Sequence, residues 1–507
     1  MRTGFFIHKL SGAVVSIALL ALFASAGVSV GRSLPAAANG VSASRQASRG
    51  EAGSYVNASA ASSGRASLSS VFAAASSTAA AASFSSSGGL FGSSGSSSAP
   101  PVSAGSGMVS NPASVPFGGT VSQLNSSSVP DSSVTPASSA ASVSSAVPAV
   151  SPPFTHPARM TVGYYGGWAA YSGFTPNKIS ASNINILNYA FAKIGPDLKI
   201  AVGDSYIDYS NFSRLKALKS TYRGLRTVIS VGGWSDSGRF SDAALTESSR
   251  SAFADSVVDF ITAYGFDGVD IDWEYPTGGG LSSNISRPAD RTNFGLLLKT
   301  LRSRLDRQGA KDNRHYILSF AGAANSGYAN GVNLAELAKS VDYAMIMTYD
   351  LHGGWDSFTD FNAPLYPPAG QSPQYKVSVD SAVRTWLSCG FPAGKLVMGV
   401  PFYGYAYQGT ANTGNGLWQH FSSAAPVSYD AVRSKYYSSV SYQKFYDSSA
   451  LVPSLFNGST FISYDDVSSI QRKAQYAVTK HLLGVGAWEL SFDKSGVLIS
   501  TVKKALE

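Results

Sequence analysis

The stretch Phe266-Asp-Gly-Val-Asp-Ile-Asp-Trp-Glu-Tyr-Pro276 decides the reading of the chain, because four acids, Asp267, Asp270, Asp272 and Glu274, interrupt what is otherwise a buried strand. In a strand, residues i, i+2 and i+4 share a face, so Asp270, Asp272 and Glu274 point the same way at steps of about 6.6–6.8 Å. Val269, Ile271 and Trp273 take the other face. Neighbouring buried carboxylates lose hydration and repel one another, and a chain keeps them only where protons are shared or a cation binds. A solvated surface strand does not fit the apolar set Phe266, Val269, Ile271 and Trp273. A calcium loop does not fit either: Asp-x-Asp-x-Glu is the right opening, but the sixth position requires glycine and holds Tyr275.

Upstream, Arg2, His8 and Lys9 flank an apolar run from Ser11 to Ala26 that ends Ala24-Ser25-Ala26. This has the form of a secretory signal peptide, residues 1–26, cleaved after Ala26, and it is short for a membrane anchor. The expectation is a secreted, extracellular protein with no stable membrane association after cleavage. Residues 27–157 are dominated by Ser and Ala and carry few large apolar side chains, so they are expected to be a disordered linker. All seven tryptophans lie at Trp168 or beyond, which argues against an aromatic binding module in this region. Of the formal net charge of +8, half belongs to the leader and the linker. The rest is dispersed with no basic run, which excludes a nucleic-acid partner. The lone Cys389 allows no intrachain disulfide, and its place between a helical stretch and the Gly390-Phe391-Pro392 turn does not suit a catalytic thiol.

From 158 to 507 the sequence repeats a unit of short β-branched or aromatic run, glycine-rich or aromatic corner, and amphipathic helix. Eight runs occur: Met160 to Tyr165, Ile184 to Ile194, Thr227 to Trp234, Phe266 to Trp273, Tyr316 to Gly322, Tyr343 to Tyr349, Leu396 to Phe402 and Gly484 to Leu490. Helices are expected at Ser248 to Tyr264, Arg291 to Asp306 and Gly496 to Leu506. The pattern predicts an α/β fold, a closed (β/α)8 TIM barrel, with an open doubly wound sheet as the alternative. About eighty residues separate the last two runs, with strand-like pieces at Val440 to Tyr446 and Thr460 to Tyr464. A small α+β insertion at about 405–465 is expected there, beside the barrel mouth.

In such a barrel the C-terminal strand ends carry the site. The corners there hold Trp168, Trp234, Glu274, Tyr275, Tyr349, Asp350, Trp355, Trp488 and Glu489. Ring faces and acids at one end suggest a groove for sugars, whereas Trp386, inside a helical segment, belongs to the core.

Asp267-Gly-Val-Asp270-Ile-Asp272-Trp-Glu274 resembles the Asp-x-x-Asp-x-Asp-x-Glu signature of family 18 glycoside hydrolases, chiefly chitinases. Ser230-Val-Gly-Gly233, Met347-Thr-Tyr349-Asp350 and Trp488 match further motifs in register, and the insertion looks like the family's chitinase insertion domain. The resemblance implies a chitinase that cleaves β-1,4-N-acetylglucosaminide links with retention, the substrate's own acetamido group acting as nucleophile. By that resemblance Glu274 is the general acid, Asp272 orients the acetamido group and shares a proton with Asp270, and Tyr349 binds the acetamido oxygen. Trp488 is the hydrophobic floor, with Trp234 and Trp355 as stacking platforms. Asp350, Met347 and Tyr403 line the substrate site, Tyr164 and Ser230 support the acids, and Asp267 is a structural acid. No cofactor and no metal are implied, and the partner is chitin or its oligosaccharides, bound by a monomer.

One position departs from the pattern. Relatives with the insertion carry an arginine after Pro-Phe-Tyr-Gly, and this chain has Tyr405 after Pro401-Phe-Tyr403-Gly404, which leaves Asp350 without that cation. Two alternatives remain from sequence: the same chemistry on peptidoglycan or the chitobiose core of N-glycans, and a non-catalytic chitin-binding relative, against which the presence of Glu274 speaks.

Overall fold

The computed structural model describes residues 152–371 and 376–507. The expected signal peptide, and the expected linker as far as residue 151, lie outside the described residues. The first described residues rest on the folded domain: the Pro152 carbonyl lies 3.0 Å from His315 Nδ1, and the Phe154 ring is tilted against His315 at 5.6 Å.

The chain forms β1 (Met160–Gly166), β2 (Ile186–Ile194), β3 (Arg226–Gly232), β4 (Gly268–Asp272), β5 (Ile317–Ala323), β6 (Tyr343–Met347) and β7 (Leu396–Pro401). A second group follows: β8 (Tyr403–Gln408), β9 (Ser423–Ser428), β10 (Gln443–Asp447), β11 (Val452–Phe456) and β12 (Thr460–Ser463). The last strand is β13 (Gly484–Trp488). Strands β1 to β7 and β13 pair in parallel, and β1 pairs with both β2 and β13, so the sheet closes into an eight-stranded barrel. All eight expected runs are barrel strands. Among the described residues, no helix is long and apolar enough to cross a membrane.

The principal helices are α1 (Asp208–Thr221), α2 (Glu247–Tyr264), α3 (Asp290–Asp312), α4 (Leu334–Ser340), α5 (Val379–Ser388), α6 (Val467–Thr479) and α7 (Val497–Leu506). Helix α2 shows how sequence sets its limits. The Thr246 hydroxyl caps the start by accepting from the Ser249 amide, and Gly265 closes the end at φ 74°. Phe253, Ala254, Val257, Phe260 and Ile261 recur at three- and four-residue spacing and are buried. Helix α3 runs six residues past the expected end, because Gly309 is buried within it and the stop is Asn313 at φ 49°. Between β1 and β2 there is no α-helix; three 3-10 turns, with Pro176 opening the second, make the crossing.

On the outer face of β4, Val269, Ile271 and Trp273 are buried, and Trp273 lies between Phe240 (5.4 Å, stacked) and Phe294 (5.6 Å, edge-on). Trp386 is buried as expected and donates its indole N–H to the Ala323 carbonyl at 3.0 Å.

Strands β8 to β12 form a separate antiparallel sheet in the order β9-β8-β12-β11-β10, which is the inserted subdomain. Its strand β10 begins at Gln443 rather than near Val440, which sits fully exposed in the turn before it. Only Phe402 separates β7 from β8. Its amide donates to the Trp488 carbonyl (2.7 Å), and its carbonyl accepts from the Tyr429 amide (2.9 Å). Gly404 lets β8 and β12 close up: a Cβ there would meet the Ser463 carbonyl at 1.8 Å.

Candidate active site

The barrel mouth holds a cleft of about 450 Å³ bounded by strand ends and the loops that follow them. Strand alternation places the acids at two levels. Asp270 points into the barrel, fully buried and below the cleft, while Asp272 and Glu274 line it. Register explains the setting of Asp270: Ser230 on β3 and Ser319 on β5 are its direct partners across the sheet. Ser319 Oγ donates to Asp270 Oδ1 (2.6 Å), and Ser230 Oγ (2.8 Å) and Tyr164 OH (2.9 Å) donate to Oδ2. Burial pushes the Asp270 carboxyl above the usual carboxylate range, and the three hydroxyls oppose that push.

Both oxygens of Asp270 are engaged by hydroxyls from β1, β3 and β5, and Asp272 Oδ1 is buried with no hydrogen-bond partner among the described residues. Asp272 is held well above the carboxylate range by burial first, then by repulsion from Glu274 and Asp270. An unpaired buried carboxylate oxygen beside a cleft is an incomplete interaction that a ligand N–H could complete.

Glu274 stands one residue beyond the buried Trp273. Its amide donates to Ser237 Oγ (2.9 Å) and its carbonyl accepts from Asn284 Nδ2 (3.1 Å), so the backbone is fixed while the carboxyl faces the cleft. Burial pushes that carboxyl up to about 7, with repulsion from Asp350 adding to the rise and a hydrogen bond from Tyr275 opposing it. Close packing behind the acids depends on Gly232, at φ 103°, where a Cβ would meet the Asp272 carbonyl oxygen at 2.4 Å.

The expected aromatic residues assemble around these acids. Trp234, Tyr349, Trp355 and Trp488 line the cleft, with Met347 and Asp350. Trp488 stacks on Phe191 (5.7 Å) and packs at a tilt on Tyr164 (5.7 Å), which fixes its ring in the cleft lining. Tyr164 and Ser230 hold Asp270 through their hydroxyls, whereas Tyr403, expected to line the substrate site, stands behind the cleft and donates its OH to Asp350 Oδ1 at 2.6 Å. Tyr405 OH donates to the same oxygen at 2.7 Å, so two phenols occupy the place where a cation was expected. Asp267 is at the far end of β4, bonded to Lys219 (2.7 Å), Arg314 and the Thr227 amide (2.7 Å). Tyr275, named above only as a corner residue, also lines the cleft, as do Phe191 and Asn325, which were not singled out from sequence. For Tyr275 the signal was its place directly after Glu274; Phe191 and Asn325 carry none that spacing reveals. No group of three or more His, Cys, Asp or Glu among the described residues could hold a metal ion.

The buried carboxyls stand at the C-terminal mouth, where barrel enzymes carry their active sites, and their raised proton affinity suits acid–base chemistry. The chain belongs to the glycosyl hydrolases family 18, whose family model matches residues 160–493. Chitinase A1 of Niallia circulans is 38% identical over 68% of this chain and 58% of its own length. An N-acetylglucosaminidase of this family from Paenibacillus barengoltzii is 34% identical and superposes with a TM-score of 0.64, covering 69% of this chain and 100% of that one. The Group IV chitinase of Ostrinia furnacalis, solved with allosamidin, is 32% identical with a TM-score of 0.65 over 69% of this chain and 98% of its own.

Proposed function

We propose that this chain is a secreted, monomeric chitinase that hydrolyses β-1,4 links between N-acetylglucosamine units with retention of configuration. The observation that carries the reading is the placing of Glu274 on the cleft wall beside an Asp272 oxygen left unpaired, with burial pushing the Glu274 carboxyl up to about 7. Glu274 donates its proton to the glycosidic oxygen as the bond breaks. The acetamido carbonyl of the same sugar attacks the anomeric carbon, and Asp272 accepts the acetamido N–H and stabilises the oxazolinium cation. Tyr349 hydrogen-bonds the acetamido oxygen. Water then opens the ring with Glu274, now ionised, as base. Trp488 supports the reacting sugar, and Trp234 and Trp355 stack on its neighbours. Similarity to proteins named as chitinases, one of them in complex with allosamidin, supports the substrate class.

Glu274→Gln assayed on N-acetylchitooligosaccharides tests the reading. The expected loss in kcat is about 10²-fold or more with binding retained; unchanged activity removes Glu274 as the acid, and an inactive wild type points to a binding protein. Fully deacetylated chitosan should be inert, because it lacks the internal nucleophile.

A further inference from the structure

Asp350 is an acid on the cleft wall whose direct partners are phenols. Its amide is fixed by Asn362 Oδ1 at 2.8 Å, and one carboxyl oxygen, Oδ1, takes both Tyr403 OH and Tyr405 OH. These phenols sit at i and i+2 on β8, so strand alternation aims them at the same point. Tyr405 is fully buried, and its ring is set edge-on to Trp355 (5.6 Å, 88°) and to Tyr403 (6.0 Å, 77°). Its position is thus over-determined by packing, while its hydroxyl meets a carboxylate.

The groups the described residues set against Asp350 are acids and phenols. From β4 and the turn beyond it come Asp272, Glu274 and Tyr275, from the end of β6 comes Tyr349, and from β8 come Tyr403, Tyr405 and Tyr407. His352 is in the same loop, and its ring is set against Asp356 and Asp360. Among the described residues the cation lining the cleft is Lys376, which is exposed. Burial raises the Asp350 carboxyl to about 6, and the two phenols restrain the rise. When Asp350 ionises, its charge in turn raises the proton affinity of Glu274.

We propose that Tyr405 is a positioning residue: with Tyr403 it holds one oxygen of Asp350 without neutralising it, and through Asp350 it sets the pH range in which Glu274 keeps its proton. The charge of Asp350 is then a working variable of the cleft. Phenols favour the ionised carboxylate moderately, and a guanidinium at 405 would hold it ionised and cancel its field at Glu274. This rests on the reading of Glu274 as the proton donor.

The test uses the full chain carrying Tyr405→Phe or Tyr405→Arg, with two readouts. In protein labelled with ¹³C at aspartate carboxyls, the resonance lost in Asp350→Asn is titrated; the pH profile of kcat/KM on N-acetylchitooligosaccharides is measured alongside. The Phe variant, which keeps the ring, should raise the Asp350 midpoint by about half a pH unit or more. The Arg variant should lower that midpoint by about one unit or more and move the basic limb of kcat/KM to lower pH. Midpoints that coincide with wild type in the folded Phe variant overturn the proposal, as does a moved midpoint with an unmoved limb in a folded Arg variant. If the wild type cleaves no oligosaccharide, the functional reading fails, and the carboxyl titration still decides whether Tyr405 controls Asp350.

Discussion

Ser319 is an unremarked residue in the run Tyr316-Ile-Leu-Ser-Phe-Ala-Gly322, with no charge or motif to draw notice, yet its hydroxyl occupies one oxygen of Asp270. The sequence could supply the acids but not the hydroxyls around them, because cross-strand partners 49 residues apart are matched by register alone. Ser319→Ala leaves a buried carboxylate oxygen unpaired, and the expected cost is about 1–3 kcal/mol in urea unfolding. It should also push Asp270 higher still, since one of three opposing hydrogen bonds is gone. Tyr405 shows the same limit from the other side. Sequence flagged it as a missing cation, and only the structure shows that its hydroxyl and that of Tyr403 converge on Asp350. At the same scale, the position of Glu274 fixes a pH expectation: activity depends on its protonated form, so kcat/KM should fall above about pH 7, and a profile flat to pH 9 would show that another group is the acid.

Elements were more legible than their surroundings. Short β-branched or aromatic runs mark all eight barrel strands, because each is bounded by glycine or a corner and buried on both faces. The helices were less exact: the one expected to end at Asp306 continues to Asp312, with Gly309 a packed interior position of α3. The segment between β1 and β2 kept the periodic spacing of a βα unit without the apolar stripe of a helix, and it folds as turns. Strand β4 carries the strongest element-level prediction. Trp273 is held between Phe240 and Phe294, so Trp273→Ala should cost about 3–5 kcal/mol of stability, read from the shift in thermal or denaturant midpoint. Because Trp273 connects Asp272 to Glu274, activity should fall further than stability alone accounts for.

At the scale of the molecule, the barrel holds several carboxyls that burial keeps neutral longer than water would. Glu489 is one that the proposed reaction does not use; it is fully buried, accepts from the Ser491 amide (2.9 Å) and hydroxyl, and is pushed up to about 7. An acid with a raised folded pKa holds its proton in the folded state while the unfolded state has lost it, so its contribution to stability falls as pH rises from about 4.5 to about 7. Glu489→Gln removes that term. Relative to wild type, the variant should gain stability across that window by about 3 kcal/mol, whatever its offset at low pH. Equal slopes of stability against pH would refute it. A chain starting at Pro152 should fold and cleave soluble oligosaccharides as the full chain does, since the barrel closes on itself between β1 and β13.

The junction at Phe402 has a consequence for how such a cleft can change. One residue joins barrel to insertion, and its amide and carbonyl are both tied down, so the small sheet is in phase with the barrel rather than hung from it. Phase in a strand has only two values. One residue added between Phe402 and Tyr403 would turn the hydroxyls of Tyr403 and Tyr405 away from Asp350 without altering any side chain. Insertions and deletions here are therefore constrained by parity: an odd change inverts the wall of the cleft, while an even one restores it one step further along.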